Sequence, residues 1–224
     1  MDGILPVYKP VGMTSYDVIR EFKRIVHPDF KIGHGGTLDP FANGVLLLLL
    51  GKATKKMNEL MELPKMYRAV ARLGARSDTL DCTGTIEDIP TNQQTSASMK
   101  DIKQATGKFV GEIEQEIPDY SAAKINGQPR YRLARRGEMM EKKSKIVTLY
   151  SLTIESIGKD FVTFTATVSS GTYIRQLSYD IFKSMGIESY LEALTRTKID
   201  DFNIEKCCQI NDFQTEKWKT MMIQ

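Results

Sequence analysis

The sequence GHGGTLDPFANGVLLLLLG, residues 33–51, joins a glycine-rich segment to the most apolar stretch of the chain. Val45–Leu50 is bounded by glycines and is too short for a typical helix, so it predicts a β-strand buried on both faces. Its six residues are far fewer than the ~20 needed to span a bilayer, and we therefore expect no membrane insertion.

Patterns on either side of this stretch add helices and further strands. Residues 14–26 predict a helix, because apolar side chains recur on one face and Thr14 and Asp17 have the spacing of a capping box. Residues 66–73 alternate between apolar and basic positions, which is typical of a half-buried strand. Further patterns predict a surface loop at Thr91–Ser98, a helix over 98–109, a strand at Phe161–Val168 and a helix opening at Gly171-Thr172. This irregular order favours mixed α and β layers over a regular βαβ repeat.

Composition excludes several classes of protein. The 224 residues carry 31 Lys+Arg and 28 Asp+Glu, a net charge of +3, with 41% hydrophobic and 26% charged residues. These values are ordinary for a globular chain and exclude a disordered tail, a collagen or a disulfide-rich domain. Three cysteines, two of them adjacent, predict no disulfide framework, and the N-terminus lacks the apolar core of a signal peptide, so a cytoplasmic location is expected. Two histidines and three scattered cysteines do not have the spacing of a zinc site.

Positive charge is concentrated between Ser121 and Tyr150. This segment contains eight basic and two acidic residues, and its local charge of +6 exceeds the +3 of the whole chain. A solvated helix face and a phosphate-binding surface both fit this composition. An aromatic and an amide side chain, Tyr131 and Gln128, lie among the charges and favour the phosphate-binding surface.

The glycine-rich segment does not match the common phosphate-binding loops. A dinucleotide fingerprint requires glycine where Leu38 stands, and a P-loop requires a hydroxyl residue where Ala53 follows Lys52. What remains is a tight backbone carrying His34 and Asp39. The residues alone leave open whether this is a structural turn or a reactive carboxylate.

Six blocks of sequence, in order, resemble the bacterial tRNA pseudouridine-55 synthase family of the TruB type. They are KPVGMTS at 9–15 with GHGGTLDP at 33–40, KMYR at 65–68, SDTLDCTG at 77–84, IPDYSAAK at 117–124, YRLARRG at 131–137, and GTYIR at 171–175 with LTRT downstream at 194–197. The resemblance runs from about Gly3 to Phe202. It implies an α+β fold with a mixed, largely antiparallel sheet flanked by helices and loops. It also implies one catalytic domain over 1–224, with an RNA-contacting insertion around 121–150.

The resemblance implies an activity that needs no cofactor and no metal. The family isomerises uridine to pseudouridine at position 55 in the T loop of tRNA, detaching the base at N1 and rejoining it through C5. By this likeness Asp39 is the nucleophile, a role that suits a carboxylate because it can add covalently or take a proton and later leave. Burial alone would disfavour its charged form, so a cationic partner is expected, and the resemblance assigns that role to Arg175.

The remaining site residues are also implied by the resemblance. The uridine must be extruded from the folded loop. His34 then helps to displace the base, and Tyr67 stacks on it, a contact worth ~1–3 kcal/mol. Tyr173 and Leu194 contact the nucleotide. The RNA-binding residues expected in the insertion are Lys124, Arg130, Arg132, Arg135 and Arg136.

Other assignments are left open by the sequence. Asp81 fits a turn, or a residue that positions either the Tyr67 strand or a basic neighbour. Lys9 and Lys65 are interpreted as structural or RNA-facing. About twenty residues follow Phe202, too few for the C-terminal PUA domain that most bacterial members carry, so weaker binding to the distal part of tRNA is expected. A monomer acting on tRNA is expected.

Two rival functions come from other classes. A catalytically silent RNA-binding protein or tRNA folding helper would share the basic surface, but a carboxylate facing RNA is unfavourable unless it takes part in chemistry. A glycoside or nucleoside hydrolase would need two carboxylates around the scissile bond, and only Asp39 is a clear candidate.

Overall fold

The computed structural model describes residues 1–89, 98–125 and 127–223, without the side chain of Met99. The predicted loop at Thr91–Ser98 lies outside these residues except for Ser98. The strands are β1 Gly3–Lys9, β2 Ile32–His34, β3 Asn43–Leu50, β4 Lys65–Leu73, β5 Ala75–Ser77, β6 Ile86–Asp88, β7 Gly111–Glu116, β8 Lys124–Ile125, β9 Gln128–Pro129, β10 Ser144–Ile157, β11 Phe161–Val168, β12 Ser189–Ile199 and β13 Phe202–Asn203. The α-helices are α1 Ser15–Val26, α2 Met57–Glu62, α3 Met99–Gly107, α4 Arg130–Arg135 and α5 Ile174–Lys183.

The chain divides into two compact units. Unit 1 contains Met1–Arg68 and Leu194–Gln224, and unit 2 contains Ala69–Ala193. Within the described residues of unit 1, β1, β3 and β12 are neighbours in that order, β1 antiparallel to β3 and β12 parallel to it. In unit 2, β4, β11, β10 and β7 follow one another, and β10 is antiparallel to both β11 and β7. The α+β class with a mostly antiparallel sheet is therefore confirmed.

The apolar stretch forms the centre of unit 1. Each residue of Val45–Leu50 is fully buried, which confirms the prediction of a strand buried on both faces. One face of β3, at Leu46, Leu48 and Leu50, packs with α1 and with Phe213 and Trp218. The opposite face, at Val45, Leu47 and Leu49, packs with Leu60 of α2 and with Ile199. Alternation along one short strand thus builds two hydrophobic clusters.

The ends of the predicted helices agree with their local chemistry in most places. Helix α1 begins after Thr14, whose side chain forms the predicted capping box with Asp17, and ends at His27 in the left-handed conformation. The predicted 98–109 helix is shorter, Met99–Gly107, and has a second capping box between Ser98 and Asp101. Helix α5 begins at Ile174 rather than at Gly171-Thr172, because the Thr172 hydroxyl and N–H both donate to Ser169 O and form a turn there.

Candidate active site

The segment that carries Asp39 connects β2 to β3 and is bonded on both sides of the aspartate. The Leu38 N–H donates to Ser15 Oγ at 2.9 Å, and the same hydroxyl donates to Leu38 O at 3.3 Å. On the other side, the Gly12 N–H donates to Pro40 O at 2.8 Å. Asp39 itself is half-buried, and Leu38 is buried. The first residue of α1 and the loop before it therefore fix the backbone on either side of the carboxylate.

Arg196 on β12 binds both ends of the same segment. Its guanidinium donates to Gly36 O at 3.2 Å, Thr37 O at 3.1 Å and Val45 O at 2.7 Å. The side chain is 1% exposed. Its backbone also meets the segment closely: Gly44 has φ +114°, and a Cβ there would lie 2.2 Å from Arg196 O. Glycine is therefore required at position 44 both by conformation and by space. Arg196 lies within the LTRT block at 194–197, and no role is predicted for it from the sequence.

Lys9 lies fully buried at the end of β1, close to these groups. Its ammonium donates to Pro10 O at 2.8 Å and to Met13 O at 2.7 Å. Burial lowers the pKa of Lys9 to about 8, the Asp39 carboxylate acts in the opposite direction, and the Arg196 charge lowers the pKa further. Lys9 is therefore electrostatically coupled to both Asp39 and Arg196, and its two carbonyl contacts agree with a structural interpretation.

The buried charge of Arg196 also lowers the pKa values of His34 and Lys65. His34 lies on β2 opposite Leu48, and burial, then Arg196, lower the pKa of its imidazole. Its Nδ1 is buried without a hydrogen-bond partner among the described residues. The Lys65 ammonium donates to Met61 O and Leu63 O, and burial followed by Arg196 lowers the pKa of Lys65 to about 8. Unit 1 thus brings together Asp39, His34, Lys9 and Arg196.

Tyr67 and Leu194 are both buried in unit 1. Tyr67 is 8% exposed at an inward position of β4, and Leu194 is 5% exposed on β12. The alternation predicted for residues 66–73 is confirmed, because Ala69 and Ala71 share the buried face of β4 with Tyr67 whereas Arg68 is exposed. Burial fits a core position and a pocket wall equally, so the stacking role of Tyr67 stays a prediction.

Arg175 in unit 2 is ion-paired with Asp81. Their Nη1 and Oδ2 atoms are 3.2 Å apart, and both side chains are almost completely buried. Arg175 also donates to Thr79 O at 2.7 Å and to Tyr120 O at 2.8 Å. Asp81 therefore has two of the roles that the sequence left open, a partner for a basic residue and a turn, because its other carboxylate oxygen accepts bonds from Thr79 and Thr83. The expectation that Arg175 serves Asp39 stays a prediction.

Tyr173, at the N-terminus of α5, is contacted by two side chains that sequence reasoning missed. Gln115 of β7 is fully buried, accepts a bond from Tyr173 N–H at 2.8 Å and donates to Tyr173 O at 3.1 Å. The Lys145 ammonium lies 4.3 Å from the centre of the tyrosine ring and donates to Gly171 O. No sequence pattern predicts the contact of Gln115 with Tyr173, because the two residues are 58 positions apart.

The predicted RNA-binding residues divide into two groups. Lys124, Arg132, Arg135 and Arg136 are exposed, whereas Arg130 is 2% exposed and bonds to Asp119 at 2.5 Å and Glu141 O at 3.1 Å. The same segment lines an open pocket of about 570 Å³, and the residues around it include Arg136, Lys143, Met139 and Met140. Four of the five residues therefore present their charge to solvent.

No group of three or more His, Cys, Asp or Glu side chains within the described residues could hold a metal ion. None of the helices among residues 1–89, 98–125 and 127–223 is both long and apolar enough to cross a membrane.

Comparison with known proteins identifies the family. Residues 23–174 match the model described as TruB family pseudouridylate synthase, N-terminal domain. The chain belongs to this family, and it is therefore a pseudouridine synthase. It is 44% identical over 216 residues to tRNA pseudouridine synthase B of Clostridium acetobutylicum, covering 96% of this chain and 73% of that one. The Aquifex aeolicus protein of the same name is 38% identical over 215 residues, covering 95% and 74%.

Solved structures agree with the fold. A crystal structure of a Cbf5–Nop10–Gar1 complex matches with a TM-score of 0.70 and 29% identity, over 94% of this chain and 53% of that chain. A structure of an H/ACA RNP bound to a substrate RNA containing 2′-deoxyuridine matches with a TM-score of 0.69 and 27% identity, over 99% and 58%. This chain therefore spans only somewhat more than half of those two chains.

Proposed function

We propose that this chain converts uridine to pseudouridine at position 55 in the T loop of tRNA, with Asp39 as the nucleophile. The substrate is supported by the curated relatives named tRNA pseudouridine synthase B, which align with almost the whole chain. The observation that carries the assignment of Asp39 is its backbone, which Ser15, Gly12 and Arg196 bond on both sides. A nucleophile held in one geometry requires less reorganisation to reach the transition state.

The reaction exchanges one bond to the ribose for another. The N1–C1′ bond of the extruded uridine breaks, a C5–C1′ bond forms, C5 loses its proton to solvent and N1 gains one, so no oxidant or reductant is needed. Tyr67 is assigned the stacking contact with the uracil, and His34, Tyr173 and Leu194 contacts with the nucleotide. Arg175 is assigned as the cation that favours the charged form of the nucleophile. These roles rest on the family resemblance of their positions.

Binding of the tRNA is assigned to the segment 121–150. Exposed Lys124, Arg132, Arg135 and Arg136 can neutralise phosphates, while Arg130, held by Asp119, supports the backbone beneath them. The chain is further proposed to act as one catalytic domain over 1–224, as a monomer in the cytoplasm. Sedimentation of the free protein and of the tRNA complex tests the monomer, because a dimer would double the protein mass per tRNA.

The deciding experiment uses a tRNA transcript tritiated at C5 of its uridines. The wild-type chain is expected to release one equivalent of tritium per tRNA. Asp39→Asn is expected to release none while binding the same transcript with an unchanged Kd. Release by the variant at the wild-type rate would overturn the role of Asp39.

The same experiment also tests the position of the uridine, the rival RNA-binding function and the role of Tyr67. A transcript with cytidine at position 55 is expected to release no tritium, and release from it would contradict the choice of position. Wild-type binding without any release would indicate the rival function, a silent RNA-binding protein or tRNA folding helper. Tyr67→Leu is expected to bind tRNA and turn over poorly, and full turnover would remove its stacking role.

A further inference from the structure

Arg196 donates hydrogen bonds to the Asp39 segment both before and after the aspartate. Gly36 and Thr37 precede the aspartate and Val45 follows it, and all three carbonyl oxygens accept from one guanidinium. Backbone contact adds to this, since Arg196 pairs in register with Gly44 of β3. One residue of β12 thus fixes the distance between the beginning and the end of the loop.

The geometry of these bonds is specific to arginine. A guanidinium presents its N–H groups in a rigid planar fork, so Nε, Nη1 and Nη2 can each reach a different acceptor. A lysine ammonium at the same position carries a similar charge on a single nitrogen and cannot reproduce three divergent bonds. Replacing Arg196 by lysine therefore keeps the charge of the side chain and changes its shape, so the two effects can be measured separately.

The charge of Arg196 acts on its neighbours. Its three bonds go to neutral carbonyl oxygens, which stabilise the guanidinium without cancelling its charge. The pKa values of Lys9, His34 and Lys65 are all lowered in part by that charge. In a buried setting such an interaction is weakly screened by solvent and salt.

We propose that Arg196 is a positioning residue for the nucleophile, which holds the loop 36–45 in the reactive geometry and supplies positive potential beside Asp39. The proposal rests on the proposed function. It assigns to unit 1 an electrostatic partner for the carboxylate that is additional to Arg175. The hydrogen bonds of Arg196 go to backbone carbonyl oxygens, so it acts through the loop that carries the nucleophile.

Two variants test the two parts of this role. Arg196→Lys keeps the charge and loses the fork, and it is expected to lower kcat at least about 100-fold with the Kd for tRNA within about threefold, because small misplacements of reacting groups cost this much. Arg196→Met loses both properties and is expected to lower kcat at least as far. Arg76→Met is the control, an exposed arginine paired with Glu87, and is expected to keep the wild-type kcat.

A second measurement does not depend on activity. The chain has two histidines, so NMR titration of the imidazole signals resolves His34, with His27 as internal reference. Arg196→Met is expected to raise the pKa of His34, because a positive charge beside it is removed, whereas Arg196→Lys is expected to leave it unchanged. If Arg196→Met does not fold, Arg196→Gln, which also lacks the charge, replaces it.

Each part of the proposal has an outcome that overturns it. If Arg196 were only a structural residue, the variants would unfold at lower temperature yet retain wild-type kcat per folded molecule. Wild-type turnover by Arg196→Lys removes the positioning role, and an unmoved His34 signal in the charge-free variant removes the electrostatic role. If the wild-type chain released no tritium from tRNA, the proposed function would fail instead, and the His34 titration would still report the charge of Arg196.

Discussion

Lys9 and Lys65 show how unit 1 uses buried lysines as hydrogen-bond donors to carbonyl oxygens. Each ammonium donates to two backbone carbonyl oxygens that are close to it in sequence. In the folded state the pKa of each lysine is lowered from 10.5 to about 8. Burial disfavours the charged form of the lysine side chain. At pH values between about 8 and about 10.5 the folded chain therefore binds fewer protons than the unfolded chain. The stability contributed at these sites therefore increases as pH rises from about 8 to about 10.5.

Replacing Lys65 tests this pH dependence. Lys65→Met removes one of the two titrating groups, so its free energy of unfolding is expected to rise less steeply over that window than that of the wild type. Urea unfolding at about pH 8 and about pH 10.5 measures the difference. Lys55→Met, at an exposed position, is the control and is expected to follow the wild type. Parallel curves for wild type and Lys65→Met would contradict the prediction.

Ser15 offers a second test at the scale of one residue. Ser15→Ala removes the hydroxyl that bonds both backbone groups of buried Leu38, and we expect a loss of about 1–3 kcal/mol of stability together with a lower kcat. The neighbouring Thr14→Ala removes the α1 cap and is expected to cost about 1 kcal/mol without lowering kcat. Thermal unfolding and tritium release distinguish them. Equal kcat values for the two variants would argue against a role for Ser15 in holding Asp39.

At the scale of the element, the beginning of α5 shows how a strand can position a helix. Gln115 bonds the N–H and C=O of Tyr173 as a neighbouring strand would, and Lys145 fixes the ring. Arg175 follows two residues later in the first turn and is bonded to Asp81 and Tyr120. The orientation of Tyr173 therefore depends on residues of β7 and β10, whereas Arg175 is held by Asp81 and Tyr120.

Gln115→Leu is expected to lower kcat about 10- to 100-fold with little change in tRNA binding, because it frees Tyr173 while preserving side-chain volume. Gln176→Leu is the matched control, since Gln176 is also buried and donates to the Asp180 side chain within α5. Single-turnover tritium release measures the chemical step. If both glutamine variants reacted equally fast, Gln115 would have no positioning role.

Much of the element order could be predicted from sequence because it rests on local patterns. The alternation of Tyr67, Ala69 and Ala71, the capping box of α1 and the apolar run of β3 each depend on neighbours a few residues apart. The contacts of Arg196 with Gly36 and Thr37 join residues about 160 positions apart, and no spacing reveals them. The two-residue error at the start of α5 has a local cause, the Ser169–Thr172 turn, which competes with the helix.

At the scale of the whole molecule, the charge distribution matters more than the net charge. The segment 121–150 carries +6 in a chain of +3, so the remainder is acidic and the exposed arginines concentrate the attraction for phosphate. Binding through such residues releases counterions and therefore weakens as salt increases.

The variant Arg135→Ala with Arg136→Ala is expected to reduce the salt dependence of tRNA binding. Each lost phosphate contact should lower the slope of log K against log salt concentration by about 0.7–0.9. The charge-matched control is Arg76→Ala with Lys183→Ala, two exposed basic residues outside the segment 121–150, and its slope should equal that of the wild type. Filter binding over a salt series gives the slopes, and identical slopes for the two double variants would exclude phosphate contacts by Arg135 and Arg136.

The pairing of β1 with distant parts of the chain has a consequence for folding during synthesis. Ile4 bonds Ile223 and Val7 pairs with Cys208, while Phe213 and Trp218 pack against Phe22 of α1. At about 5–20 residues per second, a ribosome takes roughly ten to forty seconds to make the interval between these partners. The continuous stretch 69–193 can therefore fold on the emerging chain, whereas part of the apolar surface of β1 and α1 stays uncovered until residues 208–223 have also been made.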